Sequence, residues 1–313
     1  MNLDLITFTF IVGWLSASVR LAAPILISAL GETVVERAGI LNLGLEGVML
    51  VGALVGFVGA YMTGSLWIGL LLAMISGILM NLVMGFLCIT AKVNQVVAGL
   101  GLTILGGGLS TLIFRLVFGL RDSPPTIKTF PTYPIPILSQ IPVIGQMIFT
   151  QNALAYFALI MVPVFWVFLF RTRLGLSIRA VGERPDAVDT RGLSVSGLRY
   201  LAMVIGGAMA GIGGAYFSIA NLGIFWTNMT AGRGFIAIAV VIFARWNPVG
   251  ALVGALVFGG ASALQLAFQT IRVPISSDLL LMLPYIITII VLIGVSRRAE
   301  FPAAFTLPYS RDE

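Results

Sequence analysis

The side chains that could do chemistry in this chain are few, and most lie in apolar surroundings. The sequence contains no histidine, and its single cysteine, Cys88, falls in an apolar run. This composition excludes a metal site built from His and Cys, a disulfide framework and Cys/His nucleophilic catalysis. No pair of carboxylates and no Ser/Lys arrangement has the spacing of an intramembrane hydrolase, which disfavours a membrane-embedded enzyme.

One carboxylate, Glu46, falls inside a long apolar stretch, where an unpaired charge costs about 3 kcal/mol. Asn42 precedes it by one helical turn, so we expect the two side chains to share a helix face. Arg20 and Arg115 are similar intramembrane charges. Such groups either pair to fix a helix bundle or line a polar pathway for a solute. The candidate pathway residues are Asn42, Glu46, Asn81, Asn94, Gln95 and Asn221.

A compact charged stretch, residues 171–199, interrupts the apolar sequence and carries six of the eighteen basic and three of the twelve acidic residues. Within it the sequence predicts a short helix that starts at Pro185, where a missing N–H costs nothing. Asp186 then faces the positive end of the helix dipole, Arg191 falls in the last turn, and Gly192 is the expected left-handed terminator. A helix of about seven residues is too short to be stable alone, so it must pack on a partner. A solvated connector is the alternative interpretation.

The composition places these side chains in a helical membrane protein. Hydrophobic residues make up 59% and charged residues 10% of the 313 residues, and the mean hydropathy is +1.06. Since a helix needs about 20 residues to cross a bilayer, we predict an all-α polytopic membrane protein. It forms one transmembrane domain over residues 1–313, with about nine spans and a range of eight to ten. We expect the seventh span to start near Ile224 and to break or bend at Gly232 and Gly234. The predicted spans are 6–29, 40–61, 66–89, 95–118, 153–170, 198–220, 234–245, 249–270 and 279–295.

The distribution of basic residues predicts the orientation. With the 171–199 loop inside, twelve Lys and Arg residues fall in inner loops and four in outer ones, which puts the N-terminus outside and the C-terminus inside. The net charge of +6 is then explained by arginines facing the cytoplasm and anionic lipid, and not by nucleic acid. The loop 121–152 is outside and holds six of the fourteen prolines. It is either a proline-stiffened cap or re-entrant segment, or a docking platform, and 296–313 is a cytoplasmic tail. The start MNLDLITF lacks a basic region, so we expect the first apolar run to remain in the mature protein.

Three blocks of sequence resemble a known family. GETVVERAGILNLGLEGVMLVGA (31–53) resembles the signature of permease subunits of sugar- and nucleoside-type bacterial ABC importers, in the branched-chain amino acid/ribose-type superfamily. IRAVGERPDAVDTRGLSV (178–195) resembles their cytoplasmic coupling-loop motif, and GRGFIAIAVVIFARWNPVGALVGALVFG (232–259) resembles a third block. The chain length and the motif ERAGILNLGLEG are most similar to those of the smaller of two paired permeases in purine-nucleoside importers.

The resemblance implies a transport mechanism and a set of partners. The expected partners are an ABC ATPase subunit, a second related permease in a heterodimer, an extracytoplasmic solute-binding protein and membrane lipid. This chain is then no enzyme and binds no cofactor, because ATP and Mg²⁺ belong to the ATPase. Nucleoside is the first choice of solute and simple sugar the second, while an ion-coupled secondary transporter is the rival class. The expected ATPase-coupling residues are Glu183, Arg184, Pro185, Asp186, Ala187, Asp189, Arg191 and Gly192. Of these, only Glu183, Ala187 and Gly192 match the general coupling-loop pattern.

Overall fold

The computed structural model describes residues 3–119, 125–271, 276–296 and 301–310. Within them, π-helical turns at Phe86–Thr90 and Tyr216–Leu222 extend two of the long helices, and Leu138–Gln140 forms a 3₁₀ turn. The strands β1 (Thr132–Pro134) and β2 (Thr150–Asn152) pair antiparallel. The helices are α1 (Leu3–Arg37), α2 (Leu45–Thr63), α3 (Leu66–Gly85), α4 (Gln95–Phe118), α5 (Ile144–Ile148), α6 (Ala153–Arg171), α7 (Arg173–Glu183), α8 (Pro185–Asp189), α9 (Val195–Ala215), α10 (Arg233–Phe243), α11 (Pro248–Ile271) and α12 (Ser277–Ser296).

Seven helices among the described residues are long and apolar enough to cross a membrane, which confirms a mostly helical, polytopic architecture. The prediction for the seventh span was wrong in its start: α10 begins at Arg233, after a turn that includes the left-handed Gly232. Its 11 residues reach about 16 Å, roughly half of a bilayer core. The helix α12 lies where the ninth span was predicted. The count of nine therefore stays a prediction. The seven candidate spans are Phe10–Arg37, Leu45–Thr63, Leu66–Thr90, Gln95–Phe118, Ala153–Arg171, Val195–Leu222 and Pro248–Thr270.

The centre of the bundle is α9, which packs against α1, α2 and α3. These helices approach closely because glycine lies at their crossings. A Cβ on Gly52 would come within 2.6 Å of the Gly211 carbonyl oxygen, and a Cβ on Gly77 would collide with the Gly207 carbonyl. The four-residue glycine spacing in α2 and α9 therefore serves close helix packing, as its pattern predicts.

The first helix runs further than the predicted span 6–29. It continues to Arg37 and ends where Gly39 adopts a φ of +87°. The Ile40 N–H bonds to the Val35 carbonyl at 3.3 Å, which is the long hydrogen bond of a glycine-terminated helix. The chain then folds back along α1, since the Asn42 N–H reaches Glu32, five residues before the helix end.

We call residues 171–199 the coupling segment, after the family motif that they resemble, and residues 125–152 the cap segment. The helix α6 lies between the two segments, so they occupy opposite ends of the bundle, which we call the coupling end and the cap end. The cap segment is tied to the end of α9. The Ile127 N–H bonds to the Gly223 carbonyl at 2.8 Å and the Phe130 N–H to the Ile219 carbonyl at 3.1 Å. The prolines of the cap segment therefore belong to an ordered cover over the bundle.

Several of the charged residues used to predict the orientation lie outside the described residues: Arg121, Arg272, Arg297, Arg298 and Arg311. Pro124 also lies outside them.

Candidate functional site

The coupling segment contains two helices. Thr172 begins α7 by accepting a hydrogen bond from the Gly175 N–H at 3.0 Å. The buried residues Gly175, Ile178 and Val181 follow at helical spacing, so this helix has an amphipathic signal that the prediction of one short helix missed. Pro185 begins α8, as predicted.

The helix α8 ends at Asp189, two residues earlier than predicted, so Arg191 lies beyond it. The Leu193 N–H bonds back to the Val188 carbonyl at 3.3 Å, and Gly192 adopts a φ of +79°. This confirms glycine as the left-handed terminator. The expected coupling residues form one accessible surface: Glu183, Arg184, Asp186, Ala187, Arg191 and Gly192 are exposed, whereas Pro185 and Asp189 are partly buried.

Two sets of contacts fix the coupling segment to the bundle. Val181, Val188 and Val195, each seven residues from the next, form a small buried cluster that joins α7, α8 and α9. Gly182 lies against the end of α1, where a Cβ would collide with the Arg37 carbonyl and come within 3.2 Å of the Gly39 nitrogen. These contacts attach α8 to the ends of α1 and α9.

Residues 301–310 of the chain fold back onto the coupling segment. The Ala304 N–H bonds to the Gly182 carbonyl at 2.8 Å, and the Ala303 N–H to Glu183 Oε2 at 3.3 Å. A groove of about 660 Å³ lies between α8 and this tail. Glu183 thus has a structural partner within the chain, which sequence reasoning did not anticipate because the two positions are 120 residues apart.

Glu46 anchors the start of α10. Its Oε1 atom accepts hydrogen bonds from the Thr230 hydroxyl at 2.5 Å and the Gly232 N–H at 2.8 Å, and Oε2 accepts one from the Gly234 N–H at 2.6 Å. A carboxylate at a helix N-terminus satisfies free N–H groups and opposes the helix dipole. This N-terminus is therefore already occupied by an anion of the protein itself.

The expected pairing of Asn42 with Glu46 on one helix face is wrong. Asn42 precedes α2, and its Oδ1 accepts a hydrogen bond from the Gly44 N–H at 3.1 Å in the turn that begins the helix. Its amide donates to Asn81 Oδ1 at 2.9 Å, and the Asn81 amide donates to the Met203 carbonyl at 3.0 Å. The two asparagines thus link the α1–α2 turn to α3 and α9.

The other candidate pathway residues are dispersed. Gln95 accepts a hydrogen bond from the Leu41 N–H at 2.8 Å, and Asn94 caps α4 through the Val96 N–H at 3.0 Å. Asn221 is partly buried in the π-helical turn after α9. These contacts account for most of the polar side chains without a solute, and the pathway role stays a prediction.

Two further buried acids were missed by the sequence reasoning, which took Glu46 as the sole buried carboxylate. Glu32 and Glu36 are both fully buried in the last turns of α1. Glu36 Oε2 accepts a hydrogen bond from the Trp246 indole at 2.6 Å, and Glu32 Oε1 accepts one from the Asn42 N–H. The signal that could have found them is Gly39, whose role as a terminator extends the helix over both residues. The described residues contain no group of three His, Cys, Asp or Glu that could hold a metal ion.

One protein family and several individual proteins are similar in sequence to this chain. The family described as branched-chain amino acid transport system / permease component matches residues 14–292. A putative glucose ABC transporter permease protein of Haloferax volcanii is 44% identical over 274 residues, 86% of this chain and 82% of that protein. The guanosine ABC transporter permease protein of Bacillus subtilis is 35% identical over 305 residues, 94% of this chain and 95% of that protein.

A nucleoside ABC transporter permease protein of Lactococcus lactis is 34% identical over 301 residues, 93% of this chain and 95% of that protein. Second permease proteins of the same three organisms, named for the same solutes, match at 24–26% identity. No solved structure matches this chain.

Proposed function

The chain belongs to the family of permease components of branched-chain amino acid transport systems, and from that premise we propose that it is the membrane subunit of an ATP-driven importer that carries a nucleoside. Its relatives are ABC permeases of the nucleoside and sugar type. The observation that carries the proposal is the coupling segment, which presents an exposed short helix on a rigid attachment to α1 and α9.

In this proposal α8 docks on a separate ATPase subunit, which binds ATP and Mg²⁺ and performs the hydrolysis. Closure of the ATPase moves α8, and the contacts at Gly182 and in the valine cluster pass that movement to the spans. The coupling free energy must cross the contact between α8 and the ATPase. The residues of this contact therefore control transport without touching the solute.

The coupling end faces the cytoplasm of a bacterial cell, with the N-terminus outside and the C-terminus inside. The basic residues at the coupling end support this orientation, because the cytoplasmic loops of membrane proteins carry an excess of Lys and Arg. Two of these arginines also lie over aromatic rings. Arg171 lies 5.6 Å from the centre of the Trp166 ring, and Arg179 lies 5.0 Å from that of Phe170.

The partners follow from the relatives. Second permeases named for the same solutes support a heterodimer of two related permeases. A solute-binding protein delivers the solute to the cap end. Two nucleoside permeases matching over 93–94% of this chain support a nucleoside. Simple sugar is the second candidate, supported by the glucose permease at 44% identity.

Uptake by the reconstituted importer tests the solute. Proteoliposomes that contain both permeases, the ATPase and the binding protein should accumulate labelled guanosine when ATP is inside, and unlabelled guanosine should compete better than glucose or ribose. Preferential competition by glucose or ribose would assign a sugar. Uptake by this chain alone, driven by an ion gradient without ATP, would make it a secondary transporter.

A pair of glycine variants tests the coupling. Gly192→Val forces a β-branched residue into positive φ beside α8, at a cost of about 1 kcal/mol or more. Gly64→Val is the matched control, because Gly64 also has positive φ and open space around it but ends α2. We expect Gly192→Val to reduce ATPase stimulation and uptake together, while Gly64→Val retains both. Wild-type rates in the Gly192 variant would contradict the coupling role.

A further inference from the structure

Residues 224–232, which we call the descending segment, run along α2 without forming a helix or a strand. At one end the Phe225 ring packs on that of Phe57, with 6.5 Å between the ring centres. At the other end the Gly232 N–H reaches the Glu46 carboxylate at 2.8 Å. Phe57 follows Glu46 in α2 at a distance of about 16 Å along the helix axis. The descending segment therefore covers a membrane depth that α10, with its 11 residues, does not reach.

Contacts to side chains on both sides hold the descending segment in place. The Tyr285 hydroxyl donates to the Ala231 carbonyl at 3.1 Å. The guanidinium of Arg233 donates to the carbonyls of Met229 and Thr230, each at 3.4 Å. Together with the bonds that Glu46 accepts, these contacts fix the backbone before any ligand arrives. A preformed site loses less conformational entropy when it binds.

Three consecutive side chains of the descending segment stay accessible. Trp226 is 43% exposed and Thr227 and Asn228 are also exposed, whereas Phe225 before them and Met229 after them are buried. No hydrogen bond joins the three accessible side chains to another described residue. Asn228 adopts a φ of +61°, which is uncommon outside glycine, and such positions cluster at binding sites.

The accessible side chains are poorly suited to contact with lipid. A hydroxyl, an amide and irregular backbone find no hydrogen-bond partner in hydrocarbon. Non-helical backbone occurs at this depth where it is buried in protein or lines a water-filled path, and membrane transporters commonly place solute sites at such helix breaks. The descending segment therefore fits a path that contains water and solute.

The chemistry of the accessible side chains indicates the solute. All three are uncharged: an indole with a flat apolar face, a hydroxyl and an amide. Aromatic faces stack on planar bases, and an amide both donates and accepts hydrogen bonds. We propose that Trp226, Thr227 and Asn228 form a nucleoside subsite of the transport path, in which the indole stacks on the base and the other two side chains bond to the base or the ribose. This inference rests on the proposed function for its solute.

The test measures uptake of labelled guanosine and ATPase activity together, in proteoliposomes that contain the complete importer and saturating loaded binding protein. Trp226→Leu removes the stacking face and should lower uptake about tenfold, while the stimulated ATPase rate stays within about twofold because the coupling segment is unchanged. Trp226→Phe keeps an aromatic face and should stay within about threefold of wild-type uptake. Trp67→Leu is the matched control, because Trp67 is 63% exposed on another helix, α3, and should leave uptake unchanged.

A second variant separates solute binding from folding. Asn228→Gly removes the amide, and glycine adopts the positive φ of this position without strain. We expect uptake to fall about fivefold, as for one lost hydrogen bond to the solute, with an unchanged melting temperature.

Each other outcome overturns the inference. Wild-type uptake in both Trp226→Leu and Asn228→Gly removes the subsite, and Asn228→Gly alone decides if Trp226→Leu does not fold. Equal losses in Trp226→Leu and Trp226→Phe would exclude stacking on the base. Weaker co-purification of the two permeases in either Trp226→Leu or Asn228→Gly would assign the surface to the subunit interface. A wild-type importer that accumulates no guanosine would refute the proposed function instead.

Discussion

Replacement of Glu46 by glutamine tests whether this carboxylate is an anchor. In the structure it accepts three hydrogen bonds, from Thr230, Gly232 and Gly234, at the start of α10. The amide of Glu46→Gln keeps one acceptor oxygen and turns an NH₂ group toward a donor. At least one of the three donors therefore loses its partner in a site that is 3% exposed.

The expected loss of stability can be worked from these bonds. A buried donor without a partner costs about 1–3 kcal/mol, and a bond to a neutral oxygen is weaker than one to a carboxylate by about 1 kcal/mol. Easier burial of the neutral amide offsets part of the loss. We expect a net loss of about 2–3 kcal/mol and a melting temperature about 5 °C lower.

The assay is thermal unfolding of the purified chain in detergent, followed by solute dependence of uptake in the reconstituted importer. Thr230→Val should destabilise by about 1 kcal/mol, and its effect should be less than additive with Glu46→Gln because the two share a hydrogen bond. Thr33→Val is the control. Among the residues that the structure describes, its buried hydroxyl bonds only to the Ala29 carbonyl within α1, so its effect should add to that of Glu46→Gln. A Glu46 variant of wild-type stability with an altered half-saturating solute concentration would place this residue in the pathway and refute the anchor.

Two further predictions concern the orientation and the packing. In a Cys88→Ala background, Ser196→Cys should react with an impermeant maleimide only after the inner face is opened, whereas Gln140→Cys should react in intact cells; the reverse pattern would invert the topology. Gly211→Val should abolish the close crossing of α9 with α2 and α3 and prevent recovery of a monodisperse chain, whereas Gly108→Val, at an open position of α4, should be tolerated; equal recovery of both would contradict the packing role.

The features that the sequence predicted correctly are local ones. Pro185 and Gly192 carry their own conformational preferences, so the start of α8 and the left-handed terminator after it follow from residue type. Apolar length likewise identifies seven spans. The end of α1 was missed although Gly39 carries the same local signal as Gly192.

Two of the features that the sequence did not predict depend on distant residues. Glu46 meets Thr230 across 184 positions, and no local pattern identifies a partner at that distance. The same holds for the contact of Glu183 with residue 303. The position of Asn42 was misassigned because a hydrophobic run does not show whether a polar residue belongs to a helix or to the turn that begins it.

The contact between the tail and the coupling segment also sets an order of events during synthesis. Glu183 leaves the ribosome 120 residues before its partner at position 303, an interval of roughly 6–24 s at typical rates of translation. During that interval α8 can already be exposed while the groove beside it has one wall. A chain shortened before residue 301 would keep its spans but lack one wall of this groove, so the surface beside α8 is complete only once the tail has been made.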